Sequence, residues 1–422
     1  MNHPCFDAQA RHTAGRIHLP VAPRCNVQCN FCNRKYDCVN ESRPGVTSSI
    51  LTPEQALAYL DYAVAEVPNL TTMGIAGPGD PFANPDQTLA TLRGTRERYP
   101  DMNLCVASNG LNVLPYVDDL VDVGLSHITI TLNTLDPAVG AQIYAWVRYN
   151  KRVRAGLEAA QIMLENQLAA IEALKAHHMT VKVNCVVLPG INDEQIPALA
   201  QRVAEMGVDI LNCIPFYPTQ GTKFADLPAP SGRMINAIRK DAGEYLPQMT
   251  HCARCRADAV GLIGEAPSPA QLQRVADYAA LKPGELSSAA AVKTALDRPY
   301  IAVATLEGML INQHLGHADT LYIYAQTSQG IILREIRPTP DAGSGTARWR
   351  ALSDLLHDCR ALLVNAVGTT PRRVIEDSGV NVMVLEGVIT DAVQAIYEGR
   401  SLAHLQKRPA LACTGSGGGC GG

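Results

Sequence analysis

The sequence predicts an α/β protein in two parts, a partial (β/α)6 barrel followed by a small second α/β domain. Three observations carry this. From about residue 16 to 265, apolar runs of strand length alternate six times with helix-length amphipathic segments. Strands joined by helical crossovers pair in parallel, and six units rather than eight leave the barrel incomplete. Near Pro267 the composition shifts to Pro, Ser and Ala, after which a shorter alternation begins. A chain of 422 residues is long enough for two or three domains with cores of their own.

The expected barrel strands are Arg16 to Val21, Thr72 to Ala76, Asn103 to Ser108, His127 to Thr131, Thr180 to Val187 and Ile210 to Pro215. Between the first two lies TPEQALAYLDYAVAEV, where Thr52 can cap, Pro53 fits the first turn and Glu54 faces the positive helix end. The aromatic insertion IYAWVRY is expected to lie across the site mouth, with one long helix over Asn150 to His178 after it. Residues 266–297 read as a partly helical linker. The second domain, 298–402, alternates PYIAVATLE, TLYIYAQ, a helix around WRALSDLLHDC, ALLVNAVG, a helix near TPRRVIEDSG, VNVMVLEG and a last helix ITDAVQAIYEG. The end, 403–422, is a Gly-rich tail expected to be flexible, carrying Cys413 and Cys420.

Lysine and arginine number 36 against 40 aspartates and glutamates, a net charge of −4 that supplies no field for gathering nucleic acid or an anionic membrane surface. No apolar stretch approaches membrane-spanning length, and MNHPCFDAQARHTAGR lacks the pattern of a secretory signal, so a cytoplasmic protein is expected. The 13 cysteines are many for such a chain. In a reducing compartment, cysteines at short spacing are metal ligands more often than disulfides.

The strongest signal is Cys25-x3-Cys29-x2-Cys32, just after the first strand. Three thiolates in eight residues can ligate three irons of a cubane [4Fe-4S] cluster and leave the fourth open. A zinc knuckle or ferredoxin-type cluster is the bland alternative. This spacing, with Phe31 before the last cysteine, resembles the radical S-adenosylmethionine (SAM) enzymes, whose open iron chelates SAM. Gly77-Pro78-Gly79-Asp80-Pro81, after the second strand, resembles that family's SAM-binding glycine loop. Ser108, Asn109, Asn133 and Asn184 fall at strand positions where SAM would be contacted, although each alone is more often a capping or turn residue. Cys252-x2-Cys255 is a half-site that needs partners, with Cys38 as the nearest unassigned thiol and a structural zinc closed by His251 as the alternative. Cys5, His18 and Cys105 are further candidates, although by spacing alone His18 is more often a hydrogen-bonded strand histidine, Cys105 a buried core thiol and Cys5 an arbitrary tail residue.

The runs CNRKYDCVNESRPG, GPGDP, ASNGL, HITITLNT, VKVNCVVLPGIND and CARCRADAVG are similar to those of the NifB family of nitrogenase cofactor biosynthesis proteins. The resemblance covers residues 1–265 as a TIM-like partial barrel of radical SAM type and 298 to about 400 as a NifX-like, ribonuclease H-like domain. It implies that Cys25, Cys29 and Cys32 hold the SAM-binding [4Fe-4S] cluster. It further implies two precursor [4Fe-4S] clusters, one on Cys5, His18 and Cys105, the other on Cys38, Cys252 and Cys255. Glu41 and Arg43 become candidates for transient ligation or charge balance, against a solvated loop pair. His314, ahead of His317, becomes a candidate for holding the product in the second domain.

The implied reaction uses SAM twice, as methyl donor to a cluster sulfide and as source of a 5'-deoxyadenosyl radical. It fuses the two precursors around a carbide, with an extra sulfur, into an eight-iron core. Implied partners are iron–sulfur cluster donors, a carrier of the product (NifB-co) and a nitrogenase cofactor scaffold protein. Two rivals stand beside this: a radical SAM peptide maturase with auxiliary clusters, which would need a peptide-recognition domain, and a non-catalytic iron–sulfur carrier, which has no use for an open-iron triad.

Overall fold

The computed structural model describes residues 3–40, 46–253, 255–265, 267–286, 296–327, 330–341 and 346–406. The chain divides into two compact units, Met1–Ala280 and Leu281–Gly422.

The first unit contains β1 (Gly15–His18), β2 (Val27–Cys29), α1 (Pro53–Glu66), β3 (Leu70–Ile75), α2 (Pro85–Arg98), β4 (Asn103–Ser108), α3 (Val117–Asp122), β5 (His127–Thr131) and α4 (Pro137–Ile143). It continues with β6 (Tyr144–Tyr149), β7 (Arg152–Arg154), α5 (Gly156–Ala176), β8 (Thr180–Val187), α6 (Ile196–Glu205), β9 (Ile210–Pro215), α7 (Gly232–Ala242), β10 (Val260–Gly261) and α8 (Pro269–Ala280). The principal sheet runs β10-β1-β3-β4-β5-β8-β9. Its six expected strands are parallel, and β10 adds to β1 antiparallel. Buried apolar residues at alternate positions, such as Met73 and Ile75, Leu104 and Val106, or Ile128 and Ile130, face one side of this sheet. That leaves the intervening positions for polar side chains. The helix after the first strand starts on a full capping box: Thr52 accepts from Gln55 N, and the Gln55 side chain accepts from Thr52 N.

The expected helix over Asn150 to His178 is corrected. Helix α5 begins only at Gly156, and the aromatic run before it is the hairpin β6–β7, which pairs with β2 in a three-stranded sheet. Asn150 and Lys151 both take positive φ, 46° and 62°, the backbone of a tight two-residue hairpin turn. A helix cannot run through two such residues. The hairpin's partner β2 carries Cys29, so the insertion braces the cysteine loop rather than standing apart from it. Helix α8 packs on α1 through Tyr59, Tyr62 and Tyr278.

The second unit contains β11 (Tyr300–Val303), β12 (Thr320–Thr327), β13 (Gly330–Pro338), α9 (Thr346–Leu355), β14 (Cys359–Val364), α10 (Thr369–Asp377), β15 (Asn381–Val384) and α11 (Ile389–Tyr397). Its sheet order is β13-β12-β11-β14-β15, with β11, β14 and β15 mutually parallel. Leu352 of α9 and Ile375 of α10 pack with one face of the sheet, and Ile389 and Val393 of α11 with the other. The edge strand β13 was not among the expected elements; GIILREIRP mixes apolar and charged residues without a clean period, and most of it is exposed. Among the described residues no helix is long and apolar enough to cross a membrane.

Candidate active site and cluster cavities

Cys25 stands just before β2, Cys29 at its end, and Cys32 one turn later, where its N–H donates to Cys29 O at 3.0 Å. Gln28 ties that turn by donating to the carbonyls of Cys29 and Cys32 at 3.1 and 2.7 Å, and Phe31 is fully buried behind it. The three cysteines line one cavity of about 390 Å³ together with Asp80 and Asn109. Burial pushes the Cys25 thiol up to about 12, with Asp80 adding to the effect, and raises Cys29 well above its ordinary range. Cys32 is raised by burial although Arg34 draws it down. Three thiols lining one cavity, Cys29 buried and Cys25 and Cys32 half-buried, fit a cluster with one iron open.

The glycine loop is held against the approach to the triad by backbone hydrogen bonds. Gly79 N donates to Ala22 O at 2.7 Å and Asp80 N to Arg24 O at 2.8 Å. A Cβ on Gly79 would collide with the Arg24 carbonyl, so only glycine allows this contact. The Asp80 carboxylate accepts from Phe82 N through Oδ1, and from Ser108 Oγ and Asn109 N through Oδ2 at 3.0 and 2.7 Å. Burial raises its pKa despite these donors. Asp80 thereby locks the loop after β3 to the loop after β4. Asn109 Nδ2 in turn donates to Asn26 Oδ1 at 2.7 Å and lies 3.8 Å from Cys25 Sγ.

A second cavity of about 560 Å³ is lined by Cys5, His18, Cys105, Cys252 and Cys255. Parallel register explains part of this: His18 on β1 is opposite Gly74 on β3, which is opposite Cys105 on β4. A Cβ at Gly74 would come 3.0 Å from the His18 ring, so the glycine leaves room for the imidazole. His18 Nδ1 lies 3.1 Å from Arg256 O. A carbonyl only accepts, so Nδ1 carries the hydrogen and Nε2 holds the lone pair. Burial, then the Arg16 charge, lowers the His18 pKa to about 4, which keeps that lone pair free at neutral pH. Cys5 is brought in by the N-terminal segment: His251 Nε2 lies 3.0 Å from Pro4 O, and the His3 and His127 ring centroids lie 4.3 Å apart with the rings tilted by 39°.

Cys38 lines the triad's cavity rather than the second one, and Ala107 lines both. Asn40 stands between them, its Nδ2 3.6 Å from Cys38 Sγ and 3.9 Å from Cys29 Sγ. The stretch carrying Cys38 is latched to the stretch after Cys255. Asp37 accepts from Thr47 and from Ala257 N, while Asp258 accepts from Ser48 and pairs with Arg256 at 2.7 Å. Burial pushes the Asp258 pKa up, but Arg256 and Ser48 hold it below the ordinary carboxylate range.

Of the other expected contacts, Asn184 lines the second cavity, donating to Asn40 O at 2.9 Å. Asn133 lines neither; its Oδ1 accepts from Val186 N at 2.9 Å. Glu41, Arg43, Cys413 and Cys420 lie outside the described residues. In the second unit His314 is exposed, its Nδ1 accepts from Gly316 N at 2.9 Å, and its ring lies 5.1 Å from that of His317. Cys185 and Cys213 are buried opposite one another on β8 and β9, and Cys359 is buried on β14. Sequence reading missed Asn40 and Lys182, which line the cavities, and Arg16, which donates to Cys255 Sγ; all three are placed by tertiary register that no local spacing signals. Among the described residues no three His, Cys, Asp or Glu side chains form a group suited to a single metal ion. The ligands of a cubane sit on separate corners and stand further apart than those of one ion.

Residues 19–203 match the model of the Radical SAM superfamily, and residues 298–399 match that of the dinitrogenase iron-molybdenum cofactor family. The chain is 51% identical to the FeMo cofactor biosynthesis protein NifB of Chlorobaculum tepidum, over 99% of this chain and 98% of that protein. It is 41% identical to the Klebsiella pneumoniae protein of the same name, over 90% and 86% respectively. With the triad at the carboxyl end of β1, the glycine loop beside it and full-length similarity at this level, the chain belongs to the NifB family of radical SAM enzymes.

Proposed function

We propose that this enzyme of FeMo cofactor biosynthesis fuses two [4Fe-4S] substrate clusters around a carbide drawn from a SAM methyl group, with an extra sulfur, giving an [8Fe-9S-C] precursor. The observation that carries the reading is the second cavity: Cys5, His18 and Cys105 share it with Cys252 and Cys255, and it adjoins the triad's cavity at Ala107. One full ligand set and the Cys252–Cys255 half of another in one space suit two clusters that must meet.

Cys25, Cys29 and Cys32 would hold the resident cluster, which when bound supplies the electron for reductive cleavage of SAM. Gly79 lets the loop after β3 pack on the Arg24 backbone, and Asp80 fixes the loops after β3 and β4 where SAM would bind. Ser108 and Asn109 complete that wall. Cys5, His18 and Cys105 would hold one substrate cluster. The other would sit on Cys252 and Cys255, with Cys38 reaching it from the wall shared with the triad. A neutral His18 is the natural ligand to release during rearrangement, because imidazole is bound by iron less firmly than thiolate. Asn184 and Asn40 join the two cavities by hydrogen bond. Glu41 and Arg43 would ligate transiently or balance charge. His314, with His317, would hold the product in the second unit for a carrier or scaffold protein, and cluster donors would supply the substrates.

The test is anaerobic incubation of the reconstituted chain with SAM and reductant, with S-adenosylhomocysteine and 5'-deoxyadenosine assayed together. Both are expected. Release of 5'-deoxyadenosine alone contradicts methyl-to-carbide chemistry. Fewer than about nine irons per chain after full reconstitution would leave no room for three clusters.

A further inference from the structure

We propose that Arg16 is the fixed counter-cation of the anionic cluster held at Cys255. Arg16 lies on β1 two residues before His18, so both side chains leave the same face of the strand. It is 1% exposed. One guanidinium nitrogen donates to Gly261 O and Leu262 O at 2.5 and 2.9 Å, and the other to Cys255 Sγ at 2.9 Å. Its Nε is buried without a partner. Among the described residues no carboxylate pairs with it. A buried guanidinium that meets only two carbonyls and a sulfur has its charge answered only when that sulfur is anionic, as a thiolate bound to iron.

Arg16 meets the cavity only through Cys255, and the lining itself carries the same sign. Lys182 lines it, with Nζ 5.1 Å from the Phe6 ring centroid and 3.9 Å from Met249 Sδ, and no Asp or Glu is among the described lining residues. Soft ligands in a positive cavity suit a thiolate-ligated iron–sulfur cluster, which is anionic, rather than a divalent ion. A charged donor at a cluster sulfur stabilises the reduced state, which is one electron more negative, and so raises the reduction potential. Arg16 is therefore a positioning residue that sets how readily this substrate cluster accepts an electron.

The inference rests on the reading that Cys255 holds a cluster, and the experiment separates the two. The full chain, its Arg16→Gln variant and its Arg16→Lys variant are reconstituted anaerobically, analysed for iron, and titrated against potential by electron paramagnetic resonance. At the wild-type midpoint of the Cys255 cluster, Arg16→Gln should show about a tenfold lower ratio of reduced to oxidised cluster, equivalent to about 59 mV for one electron. Arg16→Lys should recover most of it, and the triad cluster should not move. Arg16→Gln with wild-type iron and an unmoved midpoint overturns the inference alone. Fewer than about nine irons in the wild type overturns it together with the reading beneath it. Because Arg16→Gln also loses two backbone hydrogen bonds, a second measurement leaves Arg16 in place. A Cys29→Ala chain labelled with 15N-arginine should show 15N hyperfine coupling to its reduced clusters, and its absence overturns the proposal.

Discussion

Gly79 stands where no side chain fits, because a methyl group there would drive into the Arg24 carbonyl. Backbone cannot yield as a flexible side chain can, so Gly79→Ala should cost about 1–3 kcal/mol in urea unfolding. It should also weaken SAM binding by equilibrium dialysis, since the loop must move away from the triad. Unchanged stability and SAM affinity would contradict the packing described here. His18 makes a different demand: its ring fills the room left by Gly74, and its Nδ1 hydrogen is committed to Arg256 O. His18→Ala should lower the iron content by about four per chain while leaving the spectrum of SAM on the triad cluster intact. An unaltered iron content would remove His18 from the ligand set. The triad was legible because its spacing is local, three thiols within eight residues. Arg16 was not, since a strand arginine becomes a sulfur partner only through a contact 239 residues away in sequence.

At the scale of elements, the six parallel strands were legible because each is a short, mostly buried segment with apolar residues at alternate positions, set between helix-length segments. The hairpin β6–β7 was hidden because its strands are short and lead directly into helix-forming residues. Its turn rests on Asn150 and Lys151 rather than on the Asn-Gly pair that announces such a turn. The latch formed by Asp258, Ser48 and Arg256 is a tertiary device with no sequence signature. Asp258 has a fully buried side chain, so Asp258→Asn should destabilise the metal-free protein by about 3 kcal/mol, read by urea denaturation, because it strands the Arg256 charge. The N-terminal segment predicts a pH dependence. Burial, then Lys182, lowers His127 from 6.5 to about 4. The unfolded chain therefore binds the proton first, and stability is full above about 6.5 and falls as pH drops toward about 4. His127→Phe should make that slope shallower in metal-free protein, where acid cannot strip clusters, the remainder belonging to His18 and His3, which burial also lowers. A slope as steep as that of the wild type would assign it to other groups.

Across the whole molecule, the arrangement is two adjoining cavities on the parallel sheet, one lined by the triad, Cys38 and the glycine loop, the other by Cys5, His18, Cys105, Cys252 and Cys255. An iron–sulfur carrier would need no glycine loop pinned beside an open-iron triad, and a peptide maturase would need space for a peptide where this chain gathers cysteines. In the proposed reaction, carbon from SAM ends inside the fused cluster. The most direct measurement is turnover of the fully reconstituted chain with SAM labelled with 13C in its methyl group, followed by electron–nuclear double resonance on the isolated cluster product. The expected result is a 13C coupling to the cluster with no proton on that carbon. Label recovered only in soluble methylated or hydrocarbon products, with a cluster silent in 13C, would contradict it.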